Sequence, residues 1–324
     1  MKQVKTRDAV GMVLAHDHTQ IIVEKFKGVR FPKGHIIKEE DIPIMLEMGK
    51  ETIFVFELQP GMLHEDDAAV ILRHLCMGQN LRASSPQEGK IELFAECDGL
   101  LTIDAQKLFQ LNMTEHVVIS ARENNIPVHV GDKVAAMRVV PLVIEESRLS
   151  ALQAAIEPGV FNVHAYRNMT AAILVTGSEV QTGRIKDTFS PVVIQRLTNF
   201  PVETKIVREV GDDPDEIKNA ILEAHQAGIH IIFCTGGMSV DPDDHTPGAI
   251  QKAGAKPVTY GTPVFPGAMF MLAYFDDDVA VMGLPGGVMF SKKSILDVVL
   301  PHVVAGHRLT KSDFANMAIG GLLS

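Results

Sequence analysis

The sequence is poor in cysteine and in positive charge, and it has no long apolar run. Its three cysteines, Cys76, Cys97 and Cys234, stand far apart with no C-x-x-C spacing. That spacing indicates neither a zinc site nor a disulfide framework, and it fits a reduced, cytoplasmic chain. Lys and Arg number 30 against 40 Asp and Glu, a net charge of -10. Phosphate backbones are bound by clustered cations, so nucleic acid is set aside as the main partner, although a small anion bridged by a metal is not. No apolar stretch approaches the ~18 residues of a membrane span, and Met1 to Asp8 lacks the apolar core of a signal peptide. The expectation is a soluble, unexported protein with no membrane contact.

What is present reads as an ordinary globular enzyme: 46% hydrophobic and 22% charged residues leave no room for a largely disordered chain. At 324 residues, two domains are the natural expectation. The texture divides the chain into an α+β segment over 1–78, a small β-rich unit over 79–165, an α/β domain over 166–308 and a tail over 309–324.

In the first half, short apolar segments alternate with glycine turns from Ala9 to Phe56, which predicts short strands in a barrel-like or irregular sheet. A short helix over 42–49 and a strand over 52–56 follow, then a helix from Ala68 to Met77 capped by Asp66-Asp67. Residues 79–89 read as a loop or hinge, and Cys97-Asp98-Gly99 reads as a hairpin turn. His16 and His18 flank Asp17, but with no third ligand nearby they read as structural or surface histidines rather than a metal site.

In the second half, strands and helices alternate as in a doubly wound parallel sheet. Ala171–Val175 is read as a strand ending in the turn Thr176-Gly177-Ser178-Glu179. Ser190-Pro191 opens a helix, Glu203–Val210 is a strand, and Gly211-Asp212-Asp213-Pro214 opens another helix. The run Ile229 to Cys234 is a buried strand feeding Thr235-Gly236-Gly237-Met238-Ser239-Val240-Asp241-Pro242-Asp243-Asp244-His245-Thr246-Pro247, in which Thr246 and Pro247 start a helix. Two adjacent glycines let backbone N–H groups approach a ligand, a helix terminus adds partial positive charge, and carboxylates can hold a divalent cation over a phosphate. Residues 264–269 are read as a turn into a short helix. Val279–Met282 is a further strand, followed by the glycine turn Gly283-Leu284-Pro285-Gly286 and a helix to Gly306. Turns at the carboxyl ends of such strands face the ligand crevice.

The ordered set Thr-Gly-Ser-Glu-Val (176–180), Gly183 to Thr188, Val210 to Pro214, Thr235 to Val240, Asp244 and Gly283 to Gly286 resembles the molybdopterin-binding domain of molybdenum-cofactor biosynthesis proteins. The likeness spans residues 168 to 306 and is closest to the molybdopterin molybdotransferases of the gephyrin or MoeA type. The Asp-x-Thr-Pro ending at Pro247 is similar to the MogA-type adenylyltransferases. The resemblance implies a three-layer α/β/α domain with a mostly parallel sheet, preceded here by the β-rich α+β region. It implies Mg2+ as cofactor, molybdopterin or adenylylated molybdopterin as ligand, molybdate or tungstate as co-substrate, and a homo-oligomer, dimer or trimer. Carried over residue by residue, Asp244, Asp212, Asp213 and Glu179 become the catalytic acids, with Asp244 and Asp212 as metal ligands. Gly177, Ser178, Asp187, Gly236, Gly237, Ser239, Pro285 and Gly286 become cofactor-binding positions.

The chain departs from the family pattern at several points. Ser178 stands for an Asp, Phe189 for an Asn and Gly287 for an Asn. Phe265 and Ala268 stand where the family has two lysines, with Lys292 and Lys293 as possible substitutes. Charge-assisted hydrogen bonds are roughly twice as strong as neutral ones, so an oxyanion site without these cations loses attraction. Two further readings follow. One is a cofactor carrier or sensor that performs no chemistry, and the other is a nucleotide pyrophosphatase of the competence-protein type.

Overall fold

The computed structural model describes residues 2–22, 26–56, 60–239, 241 and 244–322. Val240, Pro242 and Asp243 of the Gly-Gly stretch lie outside these. The chain forms two compact units, residues 1–164 and 165–324. Among the described residues no helix is long and apolar enough to cross a membrane.

The first unit is β-rich and built from short strands. Lys2–Lys5 pairs with Thr52–Val55 and His18–Ile22 with Phe26–Phe31, all antiparallel. Leu14, Phe31, Ile37, Met45 and Ile53 close a small core beneath them. A larger core joins Leu72 and Leu75 of the helix Glu65–Cys76 to Ile91 and Leu93 of the strand Lys90–Ala95. That helix therefore packs with the strands that follow it.

Three local expectations are corrected here. Residues 79–89 contain the strand Leu81–Ala83. The helix is capped by His64, whose ring nitrogen accepts from the Asp66 N–H at 3.2 Å, while the Asp66 carboxylate binds Lys33 and the Gly89 N–H. The Asp98-Gly99 pair closes no hairpin: Lys90–Ala95 lies between 81–83 and 133–139, whereas Gly99–Ile103 lies in another sheet between 126–128 and 161–165. Leu100 and Leu101 are both fully buried. A strand buried on both faces is more stable inside a sheet than as one arm of a half-solvated hairpin.

The second unit is a six-stranded sheet in the order 202–210, 169–176, 231–235, 280–284, 271–274, 256–260. The first four strands run parallel, 271–274 runs against them, and 256–260, antiparallel to 271–274, runs with them again. Helices cover both faces. Ile173 and Phe233 pack with Leu296 and Val299 on one side, and Leu174 and Ile232 with Ile217 and Ile221 on the other. The four inner strands are apolar on both faces because both faces are covered, which is why they read as continuous runs. The helix Lys311–Asn316 seats Phe314 in the same core, so the last segment is part of this fold.

Two helices differ from expectation. Residues 264–269 lead into the strand Met271–Tyr274, all four residues of which are buried, and not into a helix. Periodicity alone does not separate a short buried strand from a helix. The segment after Gly286 forms two helices, Gly287–Phe290 and Ile295–Val304, because Ser294 and Asp297 form a capping box that starts the second afresh.

Candidate functional site

From strand 169–176 the chain goes outward to 202–210, then crosses back to 231–235 on the other side. The order reverses between 169–176 and 231–235, and the carboxyl ends of these strands form the crevice expected at such a switch point. Gly177 follows one strand and Gly236-Gly237 the other.

The first turn depends on backbone freedom that only glycine has cheaply. Gly177 sits at φ 143, and a Cβ there would stand 3.1 Å from the Glu179 carboxylate, which folds back over it. The Ser178 N–H donates to Asp212 Oδ2 at 2.7 Å, and the Gly177 N–H donates to the Val210 carbonyl at 3.0 Å. Asp212 thus ties the exit of strand 202–210 to the Gly177 turn. Asp213 does something else: its Oδ1 accepts from the Asp215 and Glu216 N–H groups at 2.9 and 3.0 Å, capping the helix Pro214–Gln226. Asp187 likewise accepts from the N–H groups of Phe189 and Ser190 and from the Ser190 hydroxyl, so it opens the helix Phe189–Leu197. Ser190, read as that helix's cap, is instead its partner.

The Gly-Gly turn is bonded to the first. Gly236 and Gly237 take φ 92 and φ 57, and a Cβ on Gly236 would meet the Thr176 carbonyl at 2.5 Å. Thr176 Oγ1 donates to the Thr235 carbonyl at 2.9 Å and lies 3.3 Å from Thr246 Oγ1. The Thr246 hydroxyl donates to the Gly236 carbonyl at 2.9 Å. It is the first residue of the helix Thr246–Lys252 and braces the turn, rather than capping the helix as expected. The N–H groups of Gly236, Gly237 and Met238 donate to no acceptor among the described residues. Three adjacent unpaired donors at a helix-opening turn match the needs of a phosphate oxygen.

Asp244 stands beside these donors. A Cβ on Gly237 would lie 3.7 Å from its Oδ1, and its Oδ2 accepts from the Asp241 N–H at 3.3 Å. Tyr260, a residue with no sequence signal for a role here, donates its hydroxyl proton between the Met238 and Ser239 carbonyls, at 3.0 and 3.2 Å. Burial first, and the Asp244 charge second, push the Tyr260 hydroxyl above its usual range, so it stays protonated and keeps the bond. Ser239 itself is exposed.

The third turn, Pro285-Gly286, follows strand 280–284, whose Leu284 pairs with Thr235. Pro285 is buried, Gly286 is exposed, and space beside Gly286 is open. Arg196, also without a sequence signal, holds the segment behind this turn: its guanidinium donates to the Val288 and Ser291 carbonyls at 3.0 and 2.8 Å and pairs with Asp297. Phe265 is exposed, as are Lys292 and Lys293, neither of which makes an ion pair among the described residues.

The described residues contain no group of three or more His, Cys, Asp or Glu side chains that could hold a metal. Mg2+ is usually held another way, by one or two carboxylates with phosphate oxygens and waters completing the shell. Asp212 and Asp244 each keep an oxygen without a hydrogen-bond donor among the described residues, so the donor chemistry fits.

Residues 172–305 match the family described as a probable molybdopterin binding domain, and residues 3–57 match a domain of unknown function. A molybdopterin molybdenumtransferase of Synechococcus elongatus is 23% identical over 157 residues, 45% of this chain and 39% of that protein. A CinA-like protein of Mycobacterium avium is 36% identical over 76 residues, 24% of this chain and 18% of its own length. The chain therefore spans well under half the length of these curated relatives. Among solved structures, the molybdopterin biosynthesis enzyme MoaB of Thermus thermophilus is 21% identical, with a TM-score of 0.34 over 43% of this chain and 97% of that one.

Proposed function

From the premise that residues 172–305 belong to the molybdopterin-binding domain family of molybdenum-cofactor biosynthesis, we propose that the crevice between the glycine turns binds adenylylated molybdopterin and acts on it in Mg-dependent metal insertion. The observation that supports this reading is the row of unpaired N–H donors at Gly236, Gly237 and Met238 with Asp244 beside it. These donors take a phosphate oxygen, and Asp244 and Asp212 are the residues to hold Mg2+. Mg2+ held there would supply charge neutralisation to the phosphate. In this reading water hydrolyses the phosphate link to give AMP and the pterin phosphate, and molybdate or tungstate condenses with the two dithiolene thiols with loss of water. Tyr260 keeps the donor turn in place, and Asp212 keeps the Gly177 turn closed against the neighbouring strand. Asp213 and Asp187 act by opening helices, and Glu179 covers Gly177. Pro285 and Gly286 form the opposite wall.

A second reading, a cofactor carrier without turnover, is favoured by exposed Phe265 where the transferase pattern carries a lysine. Incubation with adenylylated molybdopterin, Mg2+ and molybdate distinguishes them: the transferase releases AMP and Asp244→Ala abolishes that release, whereas a carrier binds the compound and releases none. Cleavage of ADP-ribose without pterin affinity would instead point to the pyrophosphatase reading. A dimer or trimer is the expected assembly, measured by sedimentation.

A further inference from the structure

A cavity of about 180 Å³ opens in the second unit, lined by Arg167, His230, Tyr274, Asp277, Asp278 and Arg308 among others. Met169 and His230, which also belong to this region, stand at or just before the amino ends of strands 169–176 and 231–235. The cavity therefore occupies the sheet edge opposite the glycine turns.

His230 is locked by its neighbour. Its backbone N–H donates to the Thr170 carbonyl at 3.1 Å, and its Nδ1 lies 3.1 Å from the Thr170 N–H and 2.8 Å from the Thr170 hydroxyl. A backbone N–H can only donate, so Nδ1 is the acceptor and the neutral ring carries its proton on Nε2. That Nε2–H makes no hydrogen bond among the described residues.

Arg167 is placed just as firmly. Its N–H donates to the Val304 carbonyl at 2.9 Å, and its guanidinium lies across Gly306, where any Cβ would overlap the guanidinium carbon. The guanidinium makes no hydrogen bond or ion pair among the described residues. The other charges of the lining are committed. Arg308 pairs with Asp278 and stacks 4.6 Å over the Tyr274 ring, and Asp277 pairs with His225 at 2.9 Å. One cation and one oriented N–H donor remain.

We propose that this cavity binds a compact oxyanion, the phosphate or carboxylate group of a small molecule, between the Arg167 guanidinium and the His230 Nε2–H. A guanidinium meets two oxygens of such a group in its plane, and a neutral imidazole N–H serves a third contact without adding charge. The competing role for Arg167 is a cation at the carboxyl end of the helix Ile295–Val304, which the helix dipole favours. That role predicts a stability change and no ligand.

Calorimetric titration of the full chain with inorganic phosphate, and separately with acetate, tests the proposal. Arg167→Gln is expected to weaken the tighter of the two by about tenfold. His230→Asn keeps an acceptor toward Thr170 and leaves no donor at the Nε2 position, so it weakens the same ligand by a smaller factor. Tighter phosphate identifies a phosphate ester as the ligand class, and tighter acetate a carboxylic acid. Absence of binding to either ion in the wild type, or unchanged affinity in both Arg167→Gln and His230→Asn, overturns the proposal, and His230→Asn decides alone if Arg167→Gln does not fold.

Discussion

In the first unit the imidazoles of His18 and His64 and the carboxyl of Glu65 are buried, with His16 half-buried beside His18. In the second unit the buried polar side chains among the described residues are hydroxyls and His302, while Asp212, Asp213 and Asp244 stand in loops at the sheet's edge and Glu179 on the short helix Ser178–Gln181. The difference separates two uses of ionisable groups. Buried ones couple protonation to folding, because the charged form loses its hydration. Those at the sheet's edge stand at least partly open to water, and a ligand or a metal can exchange for that water. Cys234 follows the same logic within the second unit, since full burial pushes its thiol up to about 12 and leaves it inert.

The largest effect expected is in the second unit's sheet. Phe233 is fully buried in the centre, and Phe233→Ala should cost about 3–5 kcal/mol. Urea unfolding followed by hydrogen exchange in peptides covering 231–235 measures it. A loss below about 1 kcal/mol would show that this sheet does not carry the unit's stability.

The first unit should separate from the second by its response to pH. Burial, then the charges of His16 and Lys50, lower His18 from 6.5 to about 4. Its contribution to stability is complete above about pH 6.5 and is lost as the pH falls to about 4, by at most about 3 kcal/mol. Glu65 runs the other way. Burial, then Asp66, raise it from 4.5 to about 7, so its contribution is complete below about pH 4.5 and is lost as the pH rises through 7. Unfolding curves from pH 4 to 8 should therefore flatten on the acid side in His18→Leu and on the alkaline side in Glu65→Gln. Unchanged curves in both variants would remove the contrast between the units.

The smallest effects test whether neighbouring acids have different work. Asp213→Ala should cost about 1 kcal/mol of helix capping and leave pterin-nucleotide affinity alone. Asp244→Asn should do the reverse, with stability within about 0.5 kcal/mol of wild type and weaker binding. Equal effects of both on affinity would merge the roles that the hydrogen bonds separate.

Much of the second unit was legible because its strands are buried on both faces and its turns need glycine. Runs such as Ile231–Thr235 announce themselves, and so does a Gly-Gly pair that must take positive φ. The strands Met271–Tyr274 and Lys256–Tyr260 were missed, and with them Tyr260. Its contact with the Met238 and Ser239 carbonyls joins residues 21 and 22 positions apart. No local pattern reports such a contact. Arg196 was invisible for the same reason, reaching 92 and 95 positions along the chain. In the first unit, glycine punctuation predicted short strands correctly. The Asp98-Gly99 pair misled because a turn preference is local, whereas strand pairing follows the burial available on each side.

Composition and periodicity determined that this chain carries a doubly wound α/β unit with glycine turns and acids at the carboxyl ends of its strands. Those properties rest on local backbone preference and on which residues avoid water. The tertiary structure alone decided how the acids divide their work. Asp212 and Asp244 face the turns that border the crevice, while Asp213 and Asp187 spend their oxygens on helix N–H groups. All four are aspartates next to helix starts, and only the position of a donor from another segment distinguishes them. The same holds at the opposite edge, where Arg308 pairs with Asp278 and the Arg167 guanidinium makes no ion pair among the described residues.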